Sequence, residues 1–298
     1  MLSVIGILIL LIVVWWLFFY VRWKIKFRKH CKDVIPVLVF HQISDDFSWS
    51  ITRQTKNQFE RCIRFLNHEG YTATSLSETF DSDYKIDGKS VMLTFDDGYE
   101  DFYLNALPVL KKYGFTACVF IITGYIGKQS EWDYNWGRFK KRHLSWEEIL
   151  DLSKAGFEIG SHTVNHPDLT KIPRQYLNYE LRVSKETLED KLGKRVDILS
   201  YPFGRYNQRV QDEVERVGYK GAFTLSGNLI RKSCDSFSIP RMGIYLIDSP
   251  LSLKIKLDKS KLFGLEEIKG WIINQFPGWT IILKGTPNYG NRKTAVRV

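Results

Sequence analysis

Residues 91–98, Val-Met-Leu-Thr-Phe-Asp-Asp-Gly, read as a buried strand that runs out onto two adjacent carboxylates, Asp96 and Asp97, and a glycine. Ionised groups at the end of an apolar strand are costly to bury unless a cation or a proton relay faces them. Successive side chains of a strand point to opposite faces, so a turn permitted by Gly98 is needed to bring both acids into one cleft. Taken alone, the pattern suits an ordinary Asp-Asp-Gly turn equally well.

Outward from this strand the chain alternates β-branched or aromatic runs with amphipathic stretches. Strands are predicted at 36–41, 91–95, 116–122, 157–161, 198–202, 220–225, 237–242 and 279–283, and helices near 57–69, 103–113, 145–155, 175–192 and 207–217. Four joints repeat one device, a glycine followed by an aromatic residue: Gly70-Tyr71, Gly114-Phe115, Gly156-Phe157 and Gly218-Tyr219. Each glycine suits a left-handed helix C-cap, and Ser145 with Glu148 forms a capping box. The alternation predicts a parallel α/β sheet or barrel. His41, Asp96-Asp97, Ser161-His162 and Pro202-Phe203-Gly204 all fall at or just after predicted strand ends. In a (β/α) barrel those ends converge on the face that carries catalytic groups.

Ser161-His162-Thr163-Val164-Asn165-His166 holds two imidazoles at i and i+4, expected on one side of a helical turn. Such a pair alone is more often surface decoration. With Asp97 as a third ligand it makes a His2Asp set that leaves positions open for water and a substrate oxygen, as hydrolytic metal centres require.

TFDDG (94–98), SHTVNH (161–166) and SYPFG (200–204), in this order, resemble the first three motifs of the polysaccharide deacetylase family (NodB-homology domain) over roughly residues 35–245. The resemblance implies an irregular (β/α) barrel of the deacetylase type. It also implies hydrolytic N-deacetylation of an N-acetylated sugar in a polysaccharide or lipid-linked glycan, with release of acetate. Asp96 would be the general base, and Asp97, His162 and His166 would hold a divalent metal, usually zinc. Tyr201 and Pro202 would contact substrate, and the Phe203 backbone N–H could stabilise the oxyanion.

Two departures stand out. Ser200 occupies the position, two before the Pro, where the family more often has Arg; Arg241, in Ile239-Pro240-Arg241-Met242, is a possible substitute, or simply a barrel-rim Arg. The family's late Leu-x-His is replaced by Ile282-Leu283-Lys284. His41, within VLVFHQI (37–43), resembles the early strand motif of deacetylases acting on poly-N-acetylglucosamine, which makes it the candidate general acid; a structural histidine is the alternative. Trp132 and Trp136 could stack on sugar rings, while Trp146 suits stacking or packing equally. These departures keep open a degenerate, non-catalytic glycan-binding module. A metal-dependent peptidase or phosphoesterase would not explain the SYPFG turn.

Residues 3–20, SVIGILILLIVVWWLFFY, are uncharged and long enough to cross a hydrocarbon core of roughly 30 Å as a helix. We expect a transmembrane anchor and basic linker at 1–33, a barrel at 34–250, and a C-terminal extension at 251–298 with a helix near 265–275, a last strand and a basic tail. The anchor would make membrane lipid a partner through residues 3–20. Charge concentrates at the ends: six Lys/Arg against one Asp in 1–33, nine against three acids in 252–298, and −1 between them. Basic ends on a neutral body suit anionic lipid or phosphate more than nucleic acid, so no nucleic-acid partner is expected. The cluster RWKIKFRKH (22–30) predicts a cytoplasmic barrel by the positive-inside rule, whereas the family resemblance implies the cell envelope. Cys31, Cys62, Cys118 and Cys234 show no paired or metal-type spacing and mildly favour a reducing compartment.

Overall fold

The computed structural model describes residues 35–46, 50–79, 89–129, 141–225 and 235–258, with 263–266, 268–270 and 273. The apolar run 3–20, Cys31, Trp132, Trp136, Cys234 and the predicted strand 279–283 lie outside the described residues. Among the described residues no helix is long and apolar enough to cross a membrane.

Strands β1 (Val37–Phe40), β2 (Gln42–Ile43), β3 (Arg53–Gln54), β4 (Tyr71–Ala73), β5 (Lys89–Phe95), β6 (Cys118–Ile121), β7 (Glu158–Ser161), β8 (Ile198–Ser200), β9 (Gly221–Thr224), β10 (Ile239–Pro240) and β11 (Met242–Gly243) follow one another along the chain. The main sheet runs β10-β9-β8-β7-β6-β5-β1-β11, with β4 also on β5, and every pairing is parallel. Its first and last strands, β10 and β11, are consecutive in the chain and separated only by Arg241. The nearly closed (β/α) barrel is therefore bridged covalently at Arg241, and the single strand expected over 237–242 is corrected to two short bridges on either side of this residue.

The period of two along each strand sorts the core. Val37, Met92, Cys118, Phe120, Ile198, Phe223 and Ile239 form one cluster inside the barrel, while Leu38, Phe40, Leu93, Phe95, Val119, Ile121 and Leu199 face the helices. A Cβ on Gly160 would sit 2.4 Å from the Phe120 ring, so this position must stay bare for the ring to fill the interior. Following the inward parity to the strand ends and just past them gives Thr94 and Ser200 within β5 and β8, and His41, Asp96, His162 and Arg241 one residue beyond β1, β5, β7 and β10. These residues make the top layer of the barrel.

The helices lie close to expectation, at Lys56–His68, Leu107–Tyr113, Trp146–Lys154, Arg174–Leu192 and Gln208–Val217, and a π-helical turn at Phe102–Ala106 precedes the second. Gly70, Gly114, Gly156 and Gly218 are all left-handed, and the Ser145–Glu148 capping box forms. A further helix, Pro250–Asp258, is held to the barrel by a buried ion pair between Lys256 and Asp248, which Lys269 joins. Residues 263–266 and 268–270 are helical as well.

Candidate active site

Asp97, His162 and His166 are brought together: one donor atom from each lies within 4.8 Å of the others, the only such His/Cys/Asp/Glu cluster among the described residues. The Asp97 Oδ1 is 3.5 Å from His162 Nε2 and 3.6 Å from His166 Nε2. His162 Nδ1 donates to the Ser200 carbonyl at 2.8 Å, which fixes the tautomer and leaves Nε2 as the free donor atom. A carboxylate and two imidazole nitrogens within one small volume fit a divalent ion of the zinc type.

Local backbone explains how these groups meet, and it differs from the expected geometry. Asp97, Thr163, His166 and Phe203 have φ of 70°, 69°, 57° and 58°, the four positive-φ residues other than glycine among those described. The turn that swings Asp97 into the cleft is thus made at Asp97 itself as well as at Gly98 (φ 62°). His162 and His166 do not lie on a helical turn; they are joined by a loop that is left-handed at Thr163 and again at His166. Each such residue costs about 1–3 kcal/mol, so the surroundings must enforce it. Glu180, fully buried on the Arg174–Leu192 helix, accepts from Val164 N at 2.9 Å, Asn165 N at 2.8 Å and Asn165 Nδ2 at 2.7 Å. Thr163 Oγ1 accepts from His166 N at 3.0 Å. Opposite, Gly124 N donates to the Val164 carbonyl at 2.9 Å, an approach that a Cβ at Gly124 would block.

Asp96 is buried beneath this cluster. Arg241 grips it with two parallel bonds, Nη1 to Oδ1 and Nη2 to Oδ2, both 2.7 Å. Ser200 Oγ receives Arg241 Nη2 at 2.7 Å and donates to Asp96 Oδ2 at 3.1 Å. Arg241 has no exposed surface; it also donates to Thr94 Oγ1 and the Thr224 carbonyl, and lies 5.5 Å from the ring centroids of Phe120 and Phe223. A rim arginine is therefore excluded for this residue.

Electrostatics follow from the geometry. Burial alone would raise the Asp96 carboxyl, but Arg241, with His162, outweighs it and holds the group below the ordinary carboxylate range. Asp97 is likewise pulled well down despite burial, through His162 and His166. Burial opposes protonation of His162, yet Asp96 and Asp97 raise it. His166 is pushed down to about 3, first by burial and then by His162. His41 is lowered, mainly by burial, with Asp97 and Asp96 acting against the shift. Among the described residues its Nδ1 has no hydrogen-bond partner.

Of the other expected residues, Phe203 packs its ring on His166 at 4.5 Å between centroids, and Pro202 is buried in the same turn. Tyr201 is corrected: its side chain is fully buried, stacks on Tyr206 and donates its hydroxyl to the Phe237 carbonyl, so the phenol presents no face to a sugar. Trp146 is partly buried against the core, with Lys191 over its ring. Glu180, His143 and the role of Ser200 were not anticipated. An acid within a helical repeat and a histidine in a polar loop carry no sequence signal of what they hold.

Residues 83–222 match the polysaccharide deacetylase family model. YxkH of Bacillus subtilis (strain 168), named as a polysaccharide deacetylase, is 32% identical over 223 residues that span 74% of each chain. Poly-beta-1,6-N-acetyl-D-glucosamine N-deacetylase of Staphylococcus aureus is 29% identical over 64% of this chain and 67% of its own. The structure of Streptococcus pyogenes deacetylase PplD in complex with acetate superposes with a TM-score of 0.67 at 27% identity, covering 75% of this chain and 97% of that one.

Proposed function

This chain belongs to the polysaccharide deacetylase family, and from that premise we propose that it is a metal-dependent hydrolase that removes acetyl groups from an N-acetylated sugar in a polysaccharide or lipid-linked glycan. The observation that carries the proposal is the two-part site on the strand-end face: Asp97, His162 and His166 as one donor set, and Asp96 held by Arg241 beside it. A divalent metal, zinc by its donor chemistry, would be held by the first three residues and would polarise the acetyl carbonyl and lower the pKa of water.

The protein's own groups do the rest. Asp96, kept ionised and fixed in direction by Arg241 and Ser200, takes a proton from the water that adds to the carbonyl carbon. The Phe203 backbone N–H, in the turn that packs on His166, stabilises the oxygen as it gains charge. As the carbon–nitrogen bond breaks, His41 hands a proton to the departing amine, and the products are acetate and a free amino sugar. His41 suits this because it continues the inward register of β1 and its Nδ1 has no hydrogen-bond partner among the described residues; burial favours the neutral ring, and Asp97 and Asp96 act against that shift, toward the protonated form that can donate.

The staphylococcal relative favours a poly-N-acetylglucosamine type of substrate, and the acetate held by the streptococcal deacetylase agrees with acetate as the released product. Trp132 and Trp136 remain candidates for sugar stacking. The apolar run 3–20 extends the reading to a barrel anchored at a membrane, with the basic residues after it favouring the cytoplasmic side and the family resemblance the cell envelope. Acetate release from N-acetylglucosamine oligomers tests the reading. The wild-type chain should release acetate, while Asp96→Asn should retain metal and lose turnover; full turnover by Asp96→Asn rules out the base assignment. Metal binding without any release by the wild-type chain would favour the glycan-binding alternative.

A further inference from the structure

We infer that His143 is a positioning residue for the metal-ligating carboxylate, acting through the backbone of Asp97; this rests on the metal reading given above. His143 is 2% exposed, and its Nδ1 lies 2.9 Å from the Asp97 carbonyl oxygen. A carbonyl only accepts, so Nδ1 carries the hydrogen, and the imidazole is a donor aimed at the residue whose own conformation brings its carboxylate to the histidine pair.

The rest of the segment 142–144 braces the same turn. Glu100 N donates to the Arg142 carbonyl and Leu144 N to the Gly98 carbonyl, both at 2.9 Å, and Tyr99 and His143 form an antiparallel bridge. The imidazole stacks on the Tyr99 ring at 4.9 Å and 29°, and Tyr125 lies tilted against it at 5.5 Å, so two aromatic contacts hold its direction. Asp97 is left-handed without being glycine. Release of its carbonyl lets φ relax to negative values, and the side chain then swings off the line to His162 and His166. Metal ligands are commonly fixed by such outer hydrogen bonds, and here the bond falls on the ligand's main chain.

The test uses the full-length chain and zinc ion alone, with a competing chromogenic chelator to read the dissociation constant and melting in excess chelator to confirm an intact apo fold. His143→Phe keeps a ring to stack on Tyr99 but removes the donor; zinc affinity should fall about 10- to 100-fold. His143→Asn, whose amide nitrogen reaches the Nδ1 position, should recover most of that loss. His143→Gln, whose amide reaches the Nε2 position, should not. If His143→Phe fails to fold, the Asn and Gln pair carries the comparison by itself. Wild-type affinity in His143→Phe, or equal affinity in the Asn and Gln variants, overturns the inference. Absence of zinc binding by the wild-type chain instead removes the metal reading beneath it, and the inference with it.

Discussion

At the residue scale the site turns on a relocated arginine. Ser200 stands where an Arg was expected, and the guanidinium that grips Asp96 arrives instead from Arg241, between β10 and β11. The two-point grip matters because a buried carboxylate with only one partner is neither well oriented nor well compensated. Arg241→Lys keeps the charge but offers no fork, so acetate release should fall about 10- to 100-fold while bound metal is unchanged. Equal turnover by the two proteins, measured on the same oligomer, would leave Arg241 with a packing role only. Asp96, Asp97, His162 and His166 were legible in the sequence only in combination: neither the strand-end Asp-Asp-Gly nor the histidine pair decides alone, but together they complete a His2Asp donor set and resemble the family's motifs. Arg241 was legible only as one of two readings, since nothing local distinguishes a buried arginine from one at a rim. Tyr201 misled because a tyrosine beside a functional turn reads as a sugar contact, although its phenol is committed to the Phe237 carbonyl.

At the scale of elements, loops rather than helices or strands hold the strain, and buried polar side chains hold the loops. Glu180 is bonded to three N–H groups of the Val164-Asn165 segment. Glu180→Gln leaves at least one of those donors facing an amide, so it should cost about 1–3 kcal/mol by chemical denaturation. An unchanged midpoint would mean that the loop holds its left-handed form unaided. A second clamp joins the two functional loops: Asp168, after His166, accepts from Arg205, after the Pro202–Gly204 turn, at 2.9 Å and from Thr170 at 2.6 Å. Burial would raise the Asp168 carboxyl, but the Thr170 and Arg205 bonds outweigh it and hold it low. With the folded value below the unfolded one of about 3.9, the stabilisation is present above that value and lost as pH falls through the folded value. Melting temperature should therefore drop as pH falls below about 4, and Asp168→Asn should be less stable at pH 7 with a shallower drop. Identical pH curves for the two proteins would remove Asp168 from the account. The larger elements were legible because glycine joints and a capping box punctuate them. β2, β3 and β4, two or three residues each, offer no period to read. The helix Pro250–Asp258 was missed because Leu251, Leu253, Ile255 and Leu257 alternate with a period of two and make no helical stripe.

At the scale of the whole molecule, one parity rule builds both core and site. The inward positions that fill the barrel with Met92, Phe120, Ile198 and Phe223 continue upward as Asp96, His162 and Ser200, so packing and chemistry share the same strands. The convergence of distant segments on one face was legible from the positions of strand ends. The way the barrel closes was not, because a break at a single residue within an apolar run looks like one continuous strand. The same closure delivers Arg241 to the interior, which ties the integrity of the barrel to the orientation of the Asp96 carboxylate. The central claim is that Asp97, His162 and His166 hold a single ion. It is tested most directly by the divalent metal content of the purified full-length chain, by mass spectrometry, in the wild type and in His162→Ala and His166→Ala. The account predicts about one ion per wild-type chain and loss of it in both variants; variants that retain as much metal as the wild type would contradict it.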